Sequence, residues 1–350
     1  MLAQPRFGIR AGLAGCHPRN DHPVRAGRRT NLALLGLVVL AFVTGTASYG
    51  VGTAPATTLL TTAHAAAGSA IVLLVPWKSV IARRGLGRPP HPGRSAGLVL
   101  AVLLAGCVAA GVAQEVVGYR PVLGLAPLQV HVGLAVLVVP LLTAHVATHR
   151  QRPRAADLSR RTVLATGGLT AGALAATWLS RAVGPSLAQQ PTGSSERGSH
   201  EPARMPVTQW FTDTVPPPER RVVPLRVDGV AVDLPDARDE VEALLDCTGG
   251  WYAVQLWGGV RLDRLLGPLP PDARSVDVVS VTGYRRRFPV EAARDLLLAT
   301  TVAGRPLSAG HGGPRRLVAP GRRGFHWVKW VAAVEVVHEP PWLQPPFPLR

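Results

Sequence analysis

Five apolar stretches in the first half of the chain constrain the fold more than any other feature. They run over approximately 31–50, 59–81, 95–117, 125–148 and 162–183. Each stretch is close to the ~20 residues that a bilayer-spanning helix needs. Buried helices of a soluble protein are the alternative, but five such stretches in succession favour a membrane domain. We therefore expect an all-α transmembrane bundle of four or five helices, with four of them inside residues 31–150.

The distribution of cations predicts how these helices are oriented. Arginines and lysines precede the first stretch and fill the second and fourth links, whereas the first and third links carry one arginine, Arg120. By the positive-inside rule, the N-terminus and the two basic links are cytoplasmic, and residues after the fifth stretch are extracytoplasmic. Residues 1–30, rich in Arg, Pro and Gly, are predicted to form a disordered basic cytoplasmic tail.

The fifth stretch, assigned to residues 158–183, begins with a twin-arginine pattern. The segment "LSRRTVLATGG" over 158–168 resembles a twin-arginine export signal placed inside the chain; an ordinary basic flank is the alternative. Because this route exports folded proteins, the signal predicts a downstream domain that acquires its cofactor in the cytosol. A linker rich in Ser, Gly and Pro over 184–205 then leads to an extracytoplasmic domain over 206–350.

This last domain is predicted to be α+β and mainly β. Short β-branched or alternating runs occur at 222–234, 275–284, 316–320 and 327–337, separated by Gly and Pro, which is typical of strands. Two segments have apolar residues at helical spacing. They are "EVEALLDC" over 240–247 and "VEAARDLLLATTV" over 290–302, and we expect both to be short helices.

Three histidines inside the apolar stretches require a reason, because ionisable side chains are costly in a bilayer and are usually functional there. His64 and His131 are predicted to lie near the extracytoplasmic ends of the second and fourth helices. Two such imidazoles can supply both axial ligands of a b-type haem; histidines that only bond another helix are the alternative. The third, His145, lies on nearly the same face as His131 and ~21 Å away.

That spacing resembles two-haem cytochromes b, but the corresponding position after His64 is Lys78. A second haem at His145 would therefore need His91 or His149 as its other ligand. We expect one b-type haem, with His145 as the candidate ligand of a second.

The C-terminal domain contains a single cysteine, Cys247; the other two cysteines are Cys16 and Cys107. Three roles are open for Cys247: a buried structural thiol, a nucleophile with a histidine partner, and a soft thiolate ligand of a transition metal. Gly249 and Gly250, followed by Trp251, provide close backbone approach and a flat wall beside a bulky group.

A basic segment over 310–331 is the second unusual feature of this domain. It contains His311, Arg315, Arg316, Arg322, Arg323, His326 and Lys329. Such a density of charged donors suits a phosphorylated ligand, with a solvated basic face as the alternative. The net charge of the chain, +17, raises nucleic acid as a partner, but the predicted extracytoplasmic location argues against it.

Two stretches carry a family resemblance. The segments "LDCTGGWYAVQLWGGVRLDRLL" over 245–266 and "GRPLSAGHGGPRRLVAPGRRGFHWVKWV" over 304–331 resemble sulfite oxidase-type molybdopterin oxidoreductases, which include bacterial periplasmic methionine-sulfoxide reductases. The resemblance covers roughly 224–339. It implies a molybdopterin (Mo) cofactor, with Cys247 as the catalytic thiolate on molybdenum. The residues that it implies for the pyranopterin and its phosphate are His311, Arg316 and Lys329, then Arg322 or Arg323 and His326, with Tyr284 beside the metal pocket.

One departure from the family limits the inference. Before residue 224, where relatives place an Asn/His-containing clamp over the pterin, this chain reads "PVTQWFTDTVPPPERR". Substrate-binding residues therefore do not transfer from the family.

Together these features predict a multi-pass membrane oxidoreductase in which a cytochrome b-like helical domain is fused to an extracytoplasmic molybdopterin domain. It would transfer an oxygen atom to or from a small sulfite- or sulfoxide-class substrate and exchange electrons, through the haem, with a quinone or another membrane carrier. One alternative is a membrane-anchored binding or assembly protein that keeps the fold without its metal. Another is a hydrolase that uses Cys247 and His311.

Overall fold

The computed structural model describes residues 27–52, 55–87, 93–148, 160–183, 189–235 and 239–348. Most of the predicted basic tail, together with Leu158, His91 and His149, lies outside these residues. The described part of the chain is multidomain. A group of apolar helices is followed by a mainly β domain, as the sequence predicts.

The predicted apolar stretches are all helical. The helices are α1 (Arg28–Gly50), α2 (Ala56–Leu86), α3 (Arg94–Val117), α4 (Pro127–Thr148) and α5 (Arg160–Val183). The first four are long and apolar enough to cross a membrane, whereas the apolar part of α5 covers only Leu164–Leu179. Large apolar side chains on these helices are exposed, such as Val102 and Leu59, both at 70%, which fits a lipid-facing surface.

The helices pack as pairs. α1 lies against α2, α3 lies against α4, and α5 packs on α2. The α2–α5 contact includes a hydrogen bond of 3.1 Å between the hydroxyl groups of Ser69 and Thr177. Small residues at such contacts let helices approach closely in an apolar environment.

The described residues of the C-terminal domain form two sheets. The first sheet comprises β1 (Ser195–Glu196), β4 (Asp239–Cys247), β5 (Trp251–Arg261), β8 (Leu297–Val302), β9 (Arg305–Pro306) and β10 (Arg316–Val318). The second comprises β2 (Leu225–Val227), β3 (Val230–Val232), β6 (Ser275–Ser280), β7 (Arg285–Pro289) and β11 (Val331–Val337), in the order β3-β2-β11-β6-β7. Short helices α6 (Pro218–Arg221) and α7 (Leu262–Leu266) connect strands.

The core of this domain lies where the two sheets and the loops between them meet. Trp257, Leu298 and Val278 are completely buried. The strands predicted at 222–234, 275–284, 316–320 and 327–337 are confirmed as β2 and β3, β6, β10 and β11.

The first predicted helix in this domain is wrong over its whole length, and the second is wrong over its C-terminal part. Residues 240–247 belong to β4, which pairs antiparallel with β5 over its full length, from Asp239–Gly259 to Cys247–Trp251. In the other segment, a 3-10 helix over Val290–Arg294 is followed by strand β8. The helical spacing of Leu and Ala is a weak local preference, and pairing with β5 in a buried sheet outweighs it.

The segment predicted as a linker is part of the β domain from Gln189 onward. Its strand β1 pairs in parallel with the start of β5. The side chains of Thr192 and Ser194 donate hydrogen bonds to Asp246, at 2.8 and 2.6 Å. The folded domain therefore begins before the predicted boundary at residue 206.

The helical part and the β domain are in direct contact. The contact on the helical side is formed by residues 49–52, at the end of α1, and residues 114–119, at the end of α3. We call these residues the docking end. Arg197 donates to the carbonyl of Tyr119 at 2.8 Å, and Gln189 donates to the carbonyl of Glu115 at 3.2 Å. The docking end thus lies against the start of the β domain.

Candidate cofactor-binding site

Cys247 ends strand β4 and begins the turn that leads into β5. The turn requires glycine at position 250, where φ is +95°, because this left-handed region is strained for other residues. The Thr208 hydroxyl oxygen lies 3.2 Å from the Cys247 sulfur, and the Gly249 amide donates to the sulfur at 3.3 Å. The β hairpin therefore presents a thiol that already has two hydrogen-bonding neighbours.

Two opposing effects act on this thiol. Burial raises the pKa of Cys247, while the hydrogen bonds from Thr208 and Gly249 and the charges of Arg323 and Lys329 lower it. Burial is the larger effect in the cofactor-free protein. A metal cation at the sulfur would reverse this balance, because a coordinating thiol is deprotonated.

Arg316, at the start of β10, is a buried cation on the same side of the domain. Its side chain is 2% exposed, and its guanidinium lies 5.0 Å from the ring centre of Trp257 and 5.6 Å from that of Trp327. It donates to the carbonyl of His311 at 3.0 Å. Burial lowers the pKa of Arg316 to about 10.

Lys329 lies beside Arg316 and shares its environment. The ammonium group donates to the carbonyls of Thr208 and Gly310, at 2.7 and 2.6 Å. Burial, helped by the charge of Arg316, lowers the pKa of Lys329 to about 7. Within the described part of the chain, neither Lys329 nor Arg316 forms an ion pair with a carboxylate.

The two histidines of the basic segment differ in whether their ring nitrogens have hydrogen-bond partners. Both ring nitrogens of His311 have partners, the Ser308 hydroxyl at 3.0 Å and the Met205 carbonyl at 3.1 Å. By contrast, Nδ1 of His326 is buried without a hydrogen-bond partner. Burial lowers the pKa of His326 to about 3, so the ring is neutral and can accept or donate one further bond.

A set of buried donors without partners tests whether a phosphorylated pterin fits here. In addition to Nδ1 of His326, the set includes Nε of Arg316, Nε2 of Gln209, Oγ1 of Thr212 and Nε1 of Trp251. Buried polar atoms are nearly always satisfied, and buried cations are normally paired. Two of these donors lie at the thiol site itself, Nε of Arg316 and Nε1 of Trp251 beside Gly249 and Cys247. With the buried cations Arg316 and Lys329, they fit an anionic, hydrogen-bonding ligand that also offers a soft metal.

Arg322 and Arg323 have different positions despite being neighbours. Arg323 is 1% exposed and forms an ion pair with Asp246 at 2.6 Å. Arg322 is exposed, and its charge acts on His326 rather than on Cys247. Arg323 lies in residues 319–330 between β10 and β11, which we call the basic loop. It joins this loop to the residue preceding Cys247, a position that favours it over Arg322 as a residue of the site.

Tyr284 follows strand β6 and lies close to the site. Its hydroxyl donates to the carbonyl of Phe325, next to His326. Burial raises the pKa of Tyr284, and the charge of Cys247 contributes to the rise. Tyr284 also lines a cleft of about 400 Å³ together with Asp213 and Arg220.

The segment before residue 224 contributes residues that sequence reasoning does not find. Thr208 contacts the thiol and Lys329, and Gln209 and Thr212 supply unpaired donors. Arg286, in strand β7, is another residue that sequence reasoning does not find. It is 4% exposed, and its guanidinium lies 5.2 Å from the ring centre of Phe325. The only signal in the segment "TQWFT" is the polar character of Thr208, Gln209 and Thr212. Such common residue types carry little information without their position.

A second arrangement lies between the helices. The rings of His64 on α2 and His131 on α4 have centres 5.6 Å apart. Nδ1 of His64 lies 2.8 Å from the Ala41 carbonyl, and Nδ1 of His131 lies 2.8 Å from the Cys107 carbonyl. Each ring can thus donate through Nδ1, which leaves Nε2 as the atom able to bind a metal.

Two glycines make room for these rings. A Cβ at Gly45 on α1 would lie 2.8 Å from the His64 ring, and a Cβ at Gly111 on α3 would lie 3.0 Å from the His131 ring. The pair fits the two axial positions of a haem, which needs two imidazoles with free Nε2 atoms. His145 is remote from this pair and lies near Gly97; its role as a ligand stays a prediction.

Comparison with known proteins places the β domain in a class. Residues 234–343 match the family described as "Oxidoreductase molybdopterin binding domain". This part of the chain is therefore similar to the molybdopterin-binding domain of oxidoreductases.

Two curated relatives share one name, protein-methionine-sulfoxide reductase catalytic subunit MsrP. The protein from Xanthomonas campestris pv. campestris is 30% identical over 116 residues, which cover 28% of this chain and 36% of the relative. The protein from Xanthomonas axonopodis pv. citri is 29% identical over 116 residues, with the same coverage. This chain therefore spans about a third of the length of these relatives.

Among solved structures, the sulfane dehydrogenase SoxCD from Paracoccus pantotrophus is similar in sequence over a limited region. The two are 27% identical, with coverage of 29% of this chain and 32% of the other, and the TM-score is 0.28.

Proposed function

We propose that this chain is a membrane-bound oxidoreductase that reduces a sulfoxide-class substrate at a molybdenum–pterin group held by Cys247. Electrons would reach this group from a quinol or another membrane carrier through a b-type haem between His64 and His131. The observation that carries the proposal is the cluster of buried cations and unpaired donors around the Cys247 thiol.

Each residue of the cluster has a role in this proposal. Cys247 would supply the protein thiolate to the metal, and Arg316 and Lys329 would neutralise the pterin phosphate. His326, Gln209 and Thr212 would bond polar edges of the pterin, and Arg323 would hold the basic loop against Asp246. When bound, the molybdenum–pterin group supplies oxygen-atom transfer with two electrons.

The cleft at Tyr284 is proposed as the entrance for substrate. Tyr284 is close enough to Cys247 for the two to interact electrostatically, and Asp213 lines the same cleft. One carboxylate, Asp213, and one cation, Arg220, line this cleft, so its charged side chains balance. A balanced entrance suits a neutral sulfoxide better than a dianion such as sulfite. The sulfoxide class is also supported by the name of the two curated relatives.

The location is proposed from the helices and the charge pattern. Four helices suited to a membrane precede the β domain, and the basic links would face the cytoplasm. The docking end and the β domain would then be extracytoplasmic. The twin-arginine pattern at the start of α5 would export this domain after it has folded around its cofactor.

The proposal is tested with protein purified in detergent and a reduced viologen dye as electron donor. We expect reduction of methionine sulfoxide or dimethyl sulfoxide, with loss of at least about 10³-fold of the rate in Cys247→Ser, the scale of removing a key catalytic group. Arg204→Gln, at a side chain that is 75% exposed, serves as the control and should keep the rate. Oxidation of sulfite with ferricyanide, without sulfoxide reduction, would contradict the assigned substrate class.

A further inference from the structure

The docking end connects the histidine pair to the Cys247 turn through two helices that are arranged alike. On α3, Gly111 lies against the His131 ring, and Gln114 lies three residues, or ~4.5 Å, further along the helix. On α1, Gly45 lies against the His64 ring, and Tyr49 lies four residues, or ~6 Å, further along. On both helices, the residue about one turn beyond the glycine contacts the turn after Cys247.

Gln114 makes the better-defined of these two connections. Its side chain is 5% exposed and donates to the carbonyls of Gly193 and Gly250, at 2.9 and 3.2 Å. A Cβ at Gly250 would lie 3.0 Å from the Gln114 amide. The glycine is therefore needed both for its positive φ and for this close approach of α3.

Tyr49 makes the second connection. Its hydroxyl interacts with the Thr248 side chain, and Cys247 and Arg323 lie within electrostatic range. Its ring packs on Phe347 at 5.5 Å. Three residues later, a Cβ at Gly52 would lie 3.1 Å from the Arg323 amide nitrogen, so α1 ends directly on the basic loop.

We infer that Gln114 and Tyr49 are positioning residues that fix the Cys247 turn onto the helices flanking His64 and His131, so that electrons cross between the two sites within one chain. This inference rests on the proposed function. The path through α3 starts where Gly111 contacts the His131 ring. About one helical turn further along, Gln114 donates a hydrogen bond to Gly250, in the turn after Cys247.

The electron balance is simple. A quinol would lose two electrons and two protons, and His64, His131 and Cys247 would hold the two redox groups between which the electrons pass one at a time. Two electrons and two protons then convert one sulfoxide to a sulfide and one water molecule.

The test measures electron transfer between the sites without any substrate. Full-length protein is purified in detergent, its molybdenum and haem contents are measured, and the haem is reduced by a flash-excited flavin. The decay of reduced-haem absorbance then reports transfer to the Cys247 site. The variants are Gln114→Met, Tyr49→Phe and the double variant. Gln189→Leu is the matched control, because Gln189 also bonds across the domain contact but not to the Cys247 turn.

We expect the decay to slow by about tenfold in the double variant, which corresponds to ~1.4 kcal/mol of activation free energy. Each single variant should slow it by less, and the control should match the wild type. Equal rates in the double variant and the control, with both cofactors retained, would overturn the inference. If the double variant loses a cofactor, the single variants are compared with the control by the same criterion. Absence of molybdenum or haem from the wild type would instead refute the proposed function.

Discussion

At the scale of residues, the pair of Asp246 and Arg323 decides how the thiol is held. Asp246 precedes Cys247, accepts hydrogen bonds from Thr192 and Ser194, and pairs with a guanidinium that is 1% exposed. Removing one partner of a buried ion pair leaves the other charge uncompensated, which typically costs about 3–5 kcal/mol. The pair therefore serves as the anchor between the β4–β5 hairpin and the basic loop.

We predict that Asp246→Asn lowers the apparent melting temperature of the purified protein by roughly 10 °C. Arg322→Gln is the matched control, because Arg322 is adjacent in sequence but exposed. Its effect should be within about 0.5 kcal/mol of zero. Equal melting temperatures for the two variants, measured by differential scanning fluorimetry, would show that Arg323 is not anchored by Asp246.

Lys329 gives the site a pH dependence. Its pKa of about 7 lies below the ordinary value, so an anion is attracted below pH 7, where the ammonium is charged, and is attracted less above it. Without an anion the folded state releases this proton more readily than the unfolded state. The cofactor-free protein therefore gains stability as the pH rises from about 7 toward the ordinary lysine range.

We predict that sulfate, as a stand-in for the pterin phosphate, binds cofactor-free protein about tenfold more tightly at pH 6.5 than at pH 8.5. The protein is made in a host that lacks the pterin cofactor, and binding is measured from the rise in melting temperature at each pH. Lys329→Met should remove the difference between the two pH values. A difference that persists in this variant would assign the titration to another group.

The residues of the site differ in how visible they are in the sequence. Cys247, Arg316 and Lys329 are detectable because a lone thiol and a dense group of cations are rare. Arg322 and Arg323 are indistinguishable in the sequence, since the bridge that pairs Asp246 with Arg323 is formed by distant segments. Thr208 and Gln209 are of common types, and only the fold brings them to the thiol.

At the scale of elements, the length of apolar stretches and the spacing of apolar residues predict the helices well and the strands less well. Helices α1 to α4 follow from apolar stretches long enough to span a bilayer. Strand β4 has the sequence pattern of a helix, because its Leu and Ala residues favour a helix locally while its nine residue pairs with β5 exist only in the folded sheet. The contribution of residues 189–205 is hidden for the same reason, since β1 has no apolar pattern of its own.

The α1 helix provides an element-scale prediction about the histidine pair. Gly45→Ala places a methyl group 2.8 Å from the His64 ring, closer than van der Waals contact allows, so the ring must move. We predict loss of the haem Soret band in this variant, with the molybdenum content unchanged. Gly36→Ala on the same helix meets no atom within 4 Å and should keep the band. A full Soret band in Gly45→Ala would argue against His64 as an axial ligand.

At the scale of the whole molecule, two sites lie on either side of one contact. The docking end brings α1 and α3 against the Cys247 turn and the basic loop, and the same helices line the histidine pair. The residues named at both sites belong to this one chain. This arrangement suits transfer of electrons between a membrane carrier and a substrate on one side of the membrane.

The most direct test of this account is the metal content and absorption spectrum of the full-length protein purified in detergent. We predict close to one molybdenum and one b-type haem per chain. Cys247→Ser should lose the molybdenum but keep the Soret band, and His131→Ala should lose the Soret band but keep the molybdenum. Wild-type protein that contains neither group, when produced in cells that make both cofactors, would contradict the account.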